Sequence, residues 1–428
     1  MIGEQKVLIR SQVINHFIAF LLFFYLLLDS INGVLLRTSF PFSITQPYKM
    51  LLMVLMLMVI ANHSLKRFGN IYLISLVLFA PGLYSLLVGQ TTKYLSDDLA
   101  YTLKLIFFFV SYYYFKIVFP NYSSSDWKLL RNVFIFNFAV LGANILLGTL
   151  GFGYSKYEHN VGTVGFFYAG NEVAGLLIVF MPVLCYFFYT QKTLIVYFLV
   201  CILFTIMAIL LSTKTGILSS VLISLIVPLV AERNNLYRFT RTKLYYLIVV
   251  AVMVPIGGYF IFSAILNSGL LGRIQYFYNR SDFVTFLFSM RNLSAAGALK
   301  SIESDFSAFE ILFGKSYRSF YEYYNPVWGS YGGGKIVEID IFDLFMMYGM
   351  TGVLIIYGFW FKLLLASYKE AFIRQTSFYA PAIFVTNLVL ILTSFIAGHV
   401  IYSALLAVFF TMLNAYSNTI SSHFQEKS

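Results

Sequence analysis

Four groups of polar residues stand at the edges of long apolar runs, where a charge is expensive unless it is paired or used. Ser212-Thr213-Lys214-Thr215-Gly216 joins two such runs through a very short turn and pins Lys214 at the apolar boundary. Two accounts fit it equally: a snorkelling lysine behind a Ser/Thr helix cap, or a cation that holds phosphate beside a helix N-terminus. Gly170-Asn171-Glu172 opens another run, where an acid suits the positive end of a helix. Glu338, Asp340 and Asp343 open a third, with Asp340 and Asp343 three residues apart and so on one helical face. A carboxylate in a desolvated position can have its pKa raised far enough to work as a general base. Gly398-His399 fills a short turn between the last two runs. A lone histidine in a turn is usually structural, but this one shares its side of the chain with the other three groups.

Long apolar elements must position these residues. Of 428 residues, 60% are hydrophobic and 11% are charged, against roughly 25% charged in a soluble domain. The runs are continuous and close to the ~20 residues that cross a bilayer, with no strand-like alternation. The expected fold is all-α and polytopic. Twelve transmembrane helices are expected near 13–29, 46–62, 70–89, 99–119, 130–150, 171–190, 194–211, 215–231, 244–266, 339–366, 378–396 and 399–417, with 1–428 as a single membrane domain. One polar stretch, 267–337, interrupts this pattern and carries Arg273, Arg280, Arg291, Lys300, Lys315, Arg318 and Lys335 among many tyrosines. It also carries Trp328, and interfacial aromatics are ordinary in membrane proteins. Cys185 and Cys201 both fall in apolar runs, so no disulfide framework is expected. Lys104 falls inside the fourth run beneath Asp97 and Asp98, where pairing or snorkelling is the expectation and an indirect phosphate contact the alternative.

Sixteen Lys/Arg lie in loops on the side of the N-terminus and six in the short loops opposite, the long stretch aside. Long loops translocate largely regardless of charge, so this contrast puts both termini in the cytoplasm and 267–337 outside. The net charge of +11 is then mostly the ordinary cytoplasmic excess, and no nucleic-acid partner is expected.

Taken in order, five motifs resemble the O-antigen ligase and O-antigen (Wzy-type) polysaccharide polymerase superfamily. They are Gly170-Asn171-Glu172-Val173-Ala174, Leu211-Ser212-Thr213-Lys214-Thr215-Gly216, Ser289-Met290-Arg291 followed by Leu312-Phe313-Gly314-Lys315, Glu338-Ile339-Asp340-Ile341-Phe342-Asp343 with Tyr348-Gly349-Met350-Thr351-Gly352, and Ala397-Gly398-His399. The similarity covers roughly 160–420. It implies a GT-C-like, metal-independent, inverting glycosyltransferase of the bacterial inner membrane that uses no cofactor. The implied donor is a polyprenyl-pyrophosphate-linked oligosaccharide at the outer leaflet of the bilayer, and the acceptor is a glycan hydroxyl. A chain-length regulator and a flippase are the implied partners. Under this resemblance Lys214 and Arg291 stabilise the leaving pyrophosphate, with Arg273 and Arg318 as further contacts. Glu338 or Asp340 orients or deprotonates the acceptor, and Asn171, Glu172, Asp343 and His399 complete the substrate site. Lys214 stands where the family usually carries Arg, so its phosphate contact is a point charge and not a bidentate one. Glu338 and Asp340 stand where many ligases begin this helix with His-Asn, which favours a polymerase over a ligase.

A lipid-linked oligosaccharide flippase is the rival class. It calls for two related halves and charges spread around a central cavity. Here the first six runs have short outer loops, the long stretch has no counterpart, and the charged groups gather on one side.

Overall fold

The computed structural model describes residues 2–38, 42–87, 94–156, 162–235, 282, 284–285 and 288–425. The helices are α1 (Ile2–Phe23), α2 (Tyr25–Arg37), α3 (Thr45–His63), α4 (Leu65–Leu87), α5 (Leu95–Val118), α6 (Ser124–Thr149), α7 (Gly170–Thr190), α8 (Leu194–Leu210) and α9 (Lys214–Ala231), then α10 (Arg291–Asp305), α11 (Ala308–Phe313), α12 (Ser319–Glu322), α13 (Asp340–Tyr368), α14 (Ala380–Ile396) and α15 (Ala404–Gln425). Among the described residues, strand is confined to two small antiparallel hairpins. One joins β1 (Tyr154–Ser155) to β2 (Thr163–Gly165), the other β3 (Tyr324–Asn325) to β4 (Ser330–Tyr331).

Among the described residues, seven helices, α3 to α7, α9 and α13, are each long and apolar enough to cross a membrane. The pair α1–α2 qualifies together across a bend of 49°, while α8, α14 and residues 404–417 of α15 are shorter apolar helices. The chain is an all-α membrane protein. The expected span 244–266 lies outside the described residues, and the last apolar helix starts at Ala404, not at His399, which belongs to the preceding turn.

Among the described residues, local sequence closes two helix starts with a side-chain box. Ser123 and Asp126 make a reciprocal capping box on α6, and Ser307 and Glu310 make another on α11. The starts of α7 and α9, like those of most of the other helices, have no such box. Neither has a side-chain cap, so Asn171, Glu172 and Thr213 are not spent on their own helix ends.

Two backbone interruptions inside apolar helices are repaired from elsewhere in the chain, as lipid requires. At the α1–α2 bend, Asn137 of α6 donates to the carbonyls of Leu22 (2.9 Å) and Phe23 (3.2 Å) and accepts from the Leu26 amide (2.9 Å). In α13, Gly349 adopts φ 61°, ψ −163° and breaks the helix after Tyr348. The carbonyls of Met346 and Met347 accept from the amides of Lys315 (2.9 Å) and Ser316 (3.1 Å). The two glycines at this seam touch backbone to backbone: a β-carbon on Gly349 would stand 2.5 Å from the Leu312 carbonyl carbon, and one on Gly314 2.2 Å from the Met347 oxygen. The motifs Leu312–Lys315 and Tyr348–Gly352, far apart in sequence, are thus one structural joint.

The centre of the bundle is aromatic. Trp360 of α13 stacks on Phe410 of α15 at 4.5 Å and meets Phe108 of α5 at 5.7 Å, while Phe180 of α7 meets Phe409 at 5.2 Å. Cys185 and Cys201 are free and buried, with their sulfurs 3.6 Å apart across α7 and α8.

Candidate functional site

The starts of α5, α7, α9, α13 and α15 and the end of α14 meet at one end of the bundle. Glu172 of α7 accepts from the Ser403 hydroxyl just before α15 (2.9 Å). A β-carbon on Gly216 near the start of α9 would stand 3.6 Å from that of Ala174 in α7. Ser219 of α9 lies 3.4 Å from Thr393 near the end of α14. Tyr348 of α13 lies 3.1 Å from Thr102 of α5. Residues 291–337 fold over this end, where the Tyr317 amide donates to Asp98 (2.6 Å) and the Tyr317 ring stacks on Tyr101 at 5.1 Å.

Asp340 organises the centre of this end. Its side chain is fully buried. One oxygen accepts from the His399 amide (2.8 Å), and the other accepts from the amides of Val400 and Ile401 (both 3.1 Å). Three consecutive amides converging on a carboxyl group form a nest that favours an anion. The Gly398 amide donates to the Glu338 carbonyl at 2.6 Å, and a β-carbon on Gly398 would come within 2.7 Å of the Glu338 carbonyl carbon. Glu338 and His399 both sit at positive φ, 65° and 73°, a conformation that side-chain-bearing residues keep only when their surroundings hold it. Asp340 therefore fixes the turn that carries His399, and both of its oxygens are committed to that task.

Arg291 is the first residue of α10, behind Ser289 and Met290, which also take positive φ. Its Nε and Nη2 donate to one oxygen of Glu338, Oε2, at 3.1 and 2.8 Å. The two side chains are 19% and 36% exposed, so the pair reaches the surface of the site. Burial pushes the Glu338 carboxyl up, but Arg291, His399 and Lys335 outweigh it and hold the group below the ordinary glutamate value. Burial depresses the His399 imidazole. The carboxylates of Glu338 and Glu172 pull it up, the cations of Arg291 and Lys104 push it down, and the balance lies below the ordinary histidine value. The shift favours the neutral imidazole, and its ring nitrogens make no hydrogen bond among the described residues.

No family model matches the chain. No curated protein matches it either.

The other expected site residues are placed as follows. Lys214 is exposed at the first position of α9, at the same end of the bundle. Asn171 accepts from Lys156 Nζ (2.9 Å). Asp343 is buried and accepts from the Val337 amide (2.8 Å), while its Oδ2 and the nearby buried Tyr402 hydroxyl have no hydrogen-bond partner among the described residues. Arg318 pairs with Glu322, which also takes Lys315 at 3.0 Å, so its charge is directed into the loop. Arg273 lies outside the described residues. Trp328 lies against Lys335, whose ammonium is 3.3 Å from the ring centroid. Among the described residues, no three His, Cys, Asp or Glu side chains gather as a metal site.

Sequence reasoning passed over three contributors: Lys156, Ser403 and the pair of Asp29 with Lys49 (2.9 Å). Asp29 and Lys49 were detectable as opposite charges at the edges of adjacent apolar runs. Ser403 carried no signal, because its importance comes from the approach of α7. Lys104 does not pair with Asp97 or Asp98. It lies 5.0 Å from the Tyr101 ring centroid and lines a cavity between α2, α3 and α5.

Proposed function

We propose that this protein is a polysaccharide polymerase: an inverting glycosyltransferase that moves a glycan from a polyprenyl-pyrophosphate donor to a sugar hydroxyl. The observation that carries the reading is the convergence of Arg291, Glu338 and His399, drawn from three distant parts of the chain, around the turn held by Asp340. An ion pair flanked by a neutral imidazole, at the end of a helical bundle in a membrane protein, suits a substrate with an anionic leaving group and an apolar anchor.

In this mechanism the acceptor oxygen attacks the anomeric carbon as that carbon's bond to the pyrophosphate oxygen breaks. The bonding pair leaves with the pyrophosphate. Arg291 turns from Glu338 towards the charge that grows on the leaving oxygens, where a preorganised cation in a partly dry site is most effective. Glu338, released from its cation and half-buried, then accepts the hydroxyl proton, with His399 beside it to share that proton. Asp340 serves this mechanism by holding the turn, with three amides engaging its oxygens. Lys214, at the start of α9, adds a second positive charge beside a helix N-terminus.

The same reading includes a GT-C-like bundle of twelve spans in the bacterial inner membrane, both termini cytoplasmic and the site at the outer leaflet. Supporting it, the seven long helices, the bent pair and the three shorter apolar helices lie at eleven of the twelve positions expected from the sequence.

Incubation of the purified protein with lipid-linked repeat units alone tests the proposal. Growth of a glycan ladder supports a polymerase. Product formed only on a second, non-repeat acceptor reassigns the protein as a ligase, and no transfer under either condition rejects the glycosyltransferase reading.

A further inference from the structure

Beside the candidate site lies a cavity of about 420 Å³ that the mechanism above does not use. This volume is in the range of small-molecule sites. It is bounded by α2, α3 and α5 and by the starts of α7 and α15. One wall is apolar, including Met50, Met53, Leu103 and Phe107. The other brings together four charges, Asp29, Lys49, Lys104 and Glu172, with the amide of Asn32.

These charges are not arranged as two mutually satisfied pairs. Lys49 is held by Asp29 at 2.9 Å, and the second oxygen of Asp29 is buried without a hydrogen-bond partner among the described residues. Lys104 has no carboxylate within ion-pair distance among the described residues and lies against the face of Tyr101. A lysine well inside an apolar helix is costly unless something compensates it, and such residues commonly mark substrate paths. Glu172 presents a carboxylate whose recorded partner is a neutral hydroxyl.

We propose that this cavity binds the head of a membrane lipid whose phosphate also carries hydroxyl groups, at a site separate from the Arg291–Glu338 pair. The phosphate sits between Lys104 and Lys49. The hydroxyls donate to Asp29 and Glu172, which as carboxylates can only accept. The first apolar segment of the lipid tail lies on Met50, Met53, Leu103 and Phe107. Two lipids share this chemistry: a second lipid-linked glycan and a bilayer lipid with a polyol head such as phosphatidylglycerol. The first source rests on the polymerase reading, since a polymerase must hold two lipid-linked chains at once, donor and acceptor. Glu172 would then touch both sites, lining the cavity and engaging Ser403 beside the His399 turn.

The test uses the full chain in phosphatidylcholine nanodiscs, read by native mass spectrometry after adding either phosphatidylglycerol or undecaprenyl-diphosphate N-acetylglucosamine. The expected result is retention of at least one of them, weakened roughly tenfold or more by Lys104→Met, preserved by Lys104→Arg, and abolished by Met53→Trp, which fills the cavity and leaves every charge in place. Arg291→Ala keeps this retention. Preference for the glycan lipid identifies the occupant as a second substrate, and preference for phosphatidylglycerol identifies it as a bilayer lipid. Each preference supports the site. Binding that survives both Lys104→Met and Met53→Trp, or that disappears with Arg291→Ala alone, overturns it. No turnover is needed, so a protein that makes no polymer can still pass, and failure of the function is separable from failure of the site.

Discussion

The turn held by Asp340 and the cavity beside it lie at the same end of one bundle, yet they treat polar groups in opposite ways. At the turn, two carboxyl oxygens meet three amides, and Glu338 meets Arg291. At the cavity, Lys104 lines the wall without a carboxylate at ion-pair distance, and one oxygen of Asp29 is buried without a hydrogen-bond partner, both among the described residues. The cavity also has two unlike walls: the most apolar window of α5 is 78% buried within the bundle, and that of α3 is 33% buried. Satisfied polar groups fix a geometry, and unsatisfied ones in an apolar setting wait for a partner.

This contrast can be broken experimentally, beginning with the largest expected effect. Asp340→Ala leaves three amides without their acceptor, each an unmet buried donor, and should cost about 3–5 kcal/mol, read as a fall in thermal stability in detergent. Asp340→Asn keeps an acceptor and should cost less. If the Ala variant were as stable as the parent, the turn would not depend on this residue. Arg291→Ala should lower the rate of glycan transfer by roughly a hundredfold, the scale of losing one preorganised charge contact at a developing anion, with stability little changed. Arg291→Lys should recover part of the rate, since it restores the charge without the planar fork. Equal rates for both variants and the parent would remove Arg291 from the chemistry.

Gly349→Ala places a β-carbon against the Leu312 carbonyl at positive φ and should destabilise by about 1–3 kcal/mol. Gly358→Ala, at a position with nothing within 4 Å of an added β-carbon, provides the control in the same helix. The pH effect is subtler. His399 is depressed on folding, so the unfolded chain takes its proton first. Stability linked to it is fully present above the ordinary histidine value of ~6.5 and is lost as pH falls through the depressed folded value. Glu338 acts in the same direction further down, its contribution lost as pH falls through its own depressed value. The linked stability should therefore begin to fall on acidification before transfer activity does, because activity falls only as the folded imidazole takes its proton, and His399→Gln should flatten the upper part of the activity profile. An unchanged profile in His399→Gln would separate the imidazole from the reaction.

Much of this was legible in the residues themselves. Continuous apolar runs allow only a membrane helix, because lipid offers backbone amides no partner, so the all-α class and most helix positions followed from composition and run length. Charges at the boundaries of those runs drew attention to Glu172, Lys214, Glu338, Asp340 and His399, since such residues are costly to keep. Their roles were not legible. A sequence shows that Asp340 and Asp343 share a helical face. It does not show that three amides from the turn some sixty residues later close on Asp340, because those donors come from backbone that any residue could supply. The pairing of Arg291 with Glu338 instead of another carboxylate, the joint between Gly314 and Gly349, and the cavity around Lys104 were likewise decided only by the tertiary structure. Run length and hydropathy act along the chain, whereas contacts between helix ends depend on how whole helices pack across it.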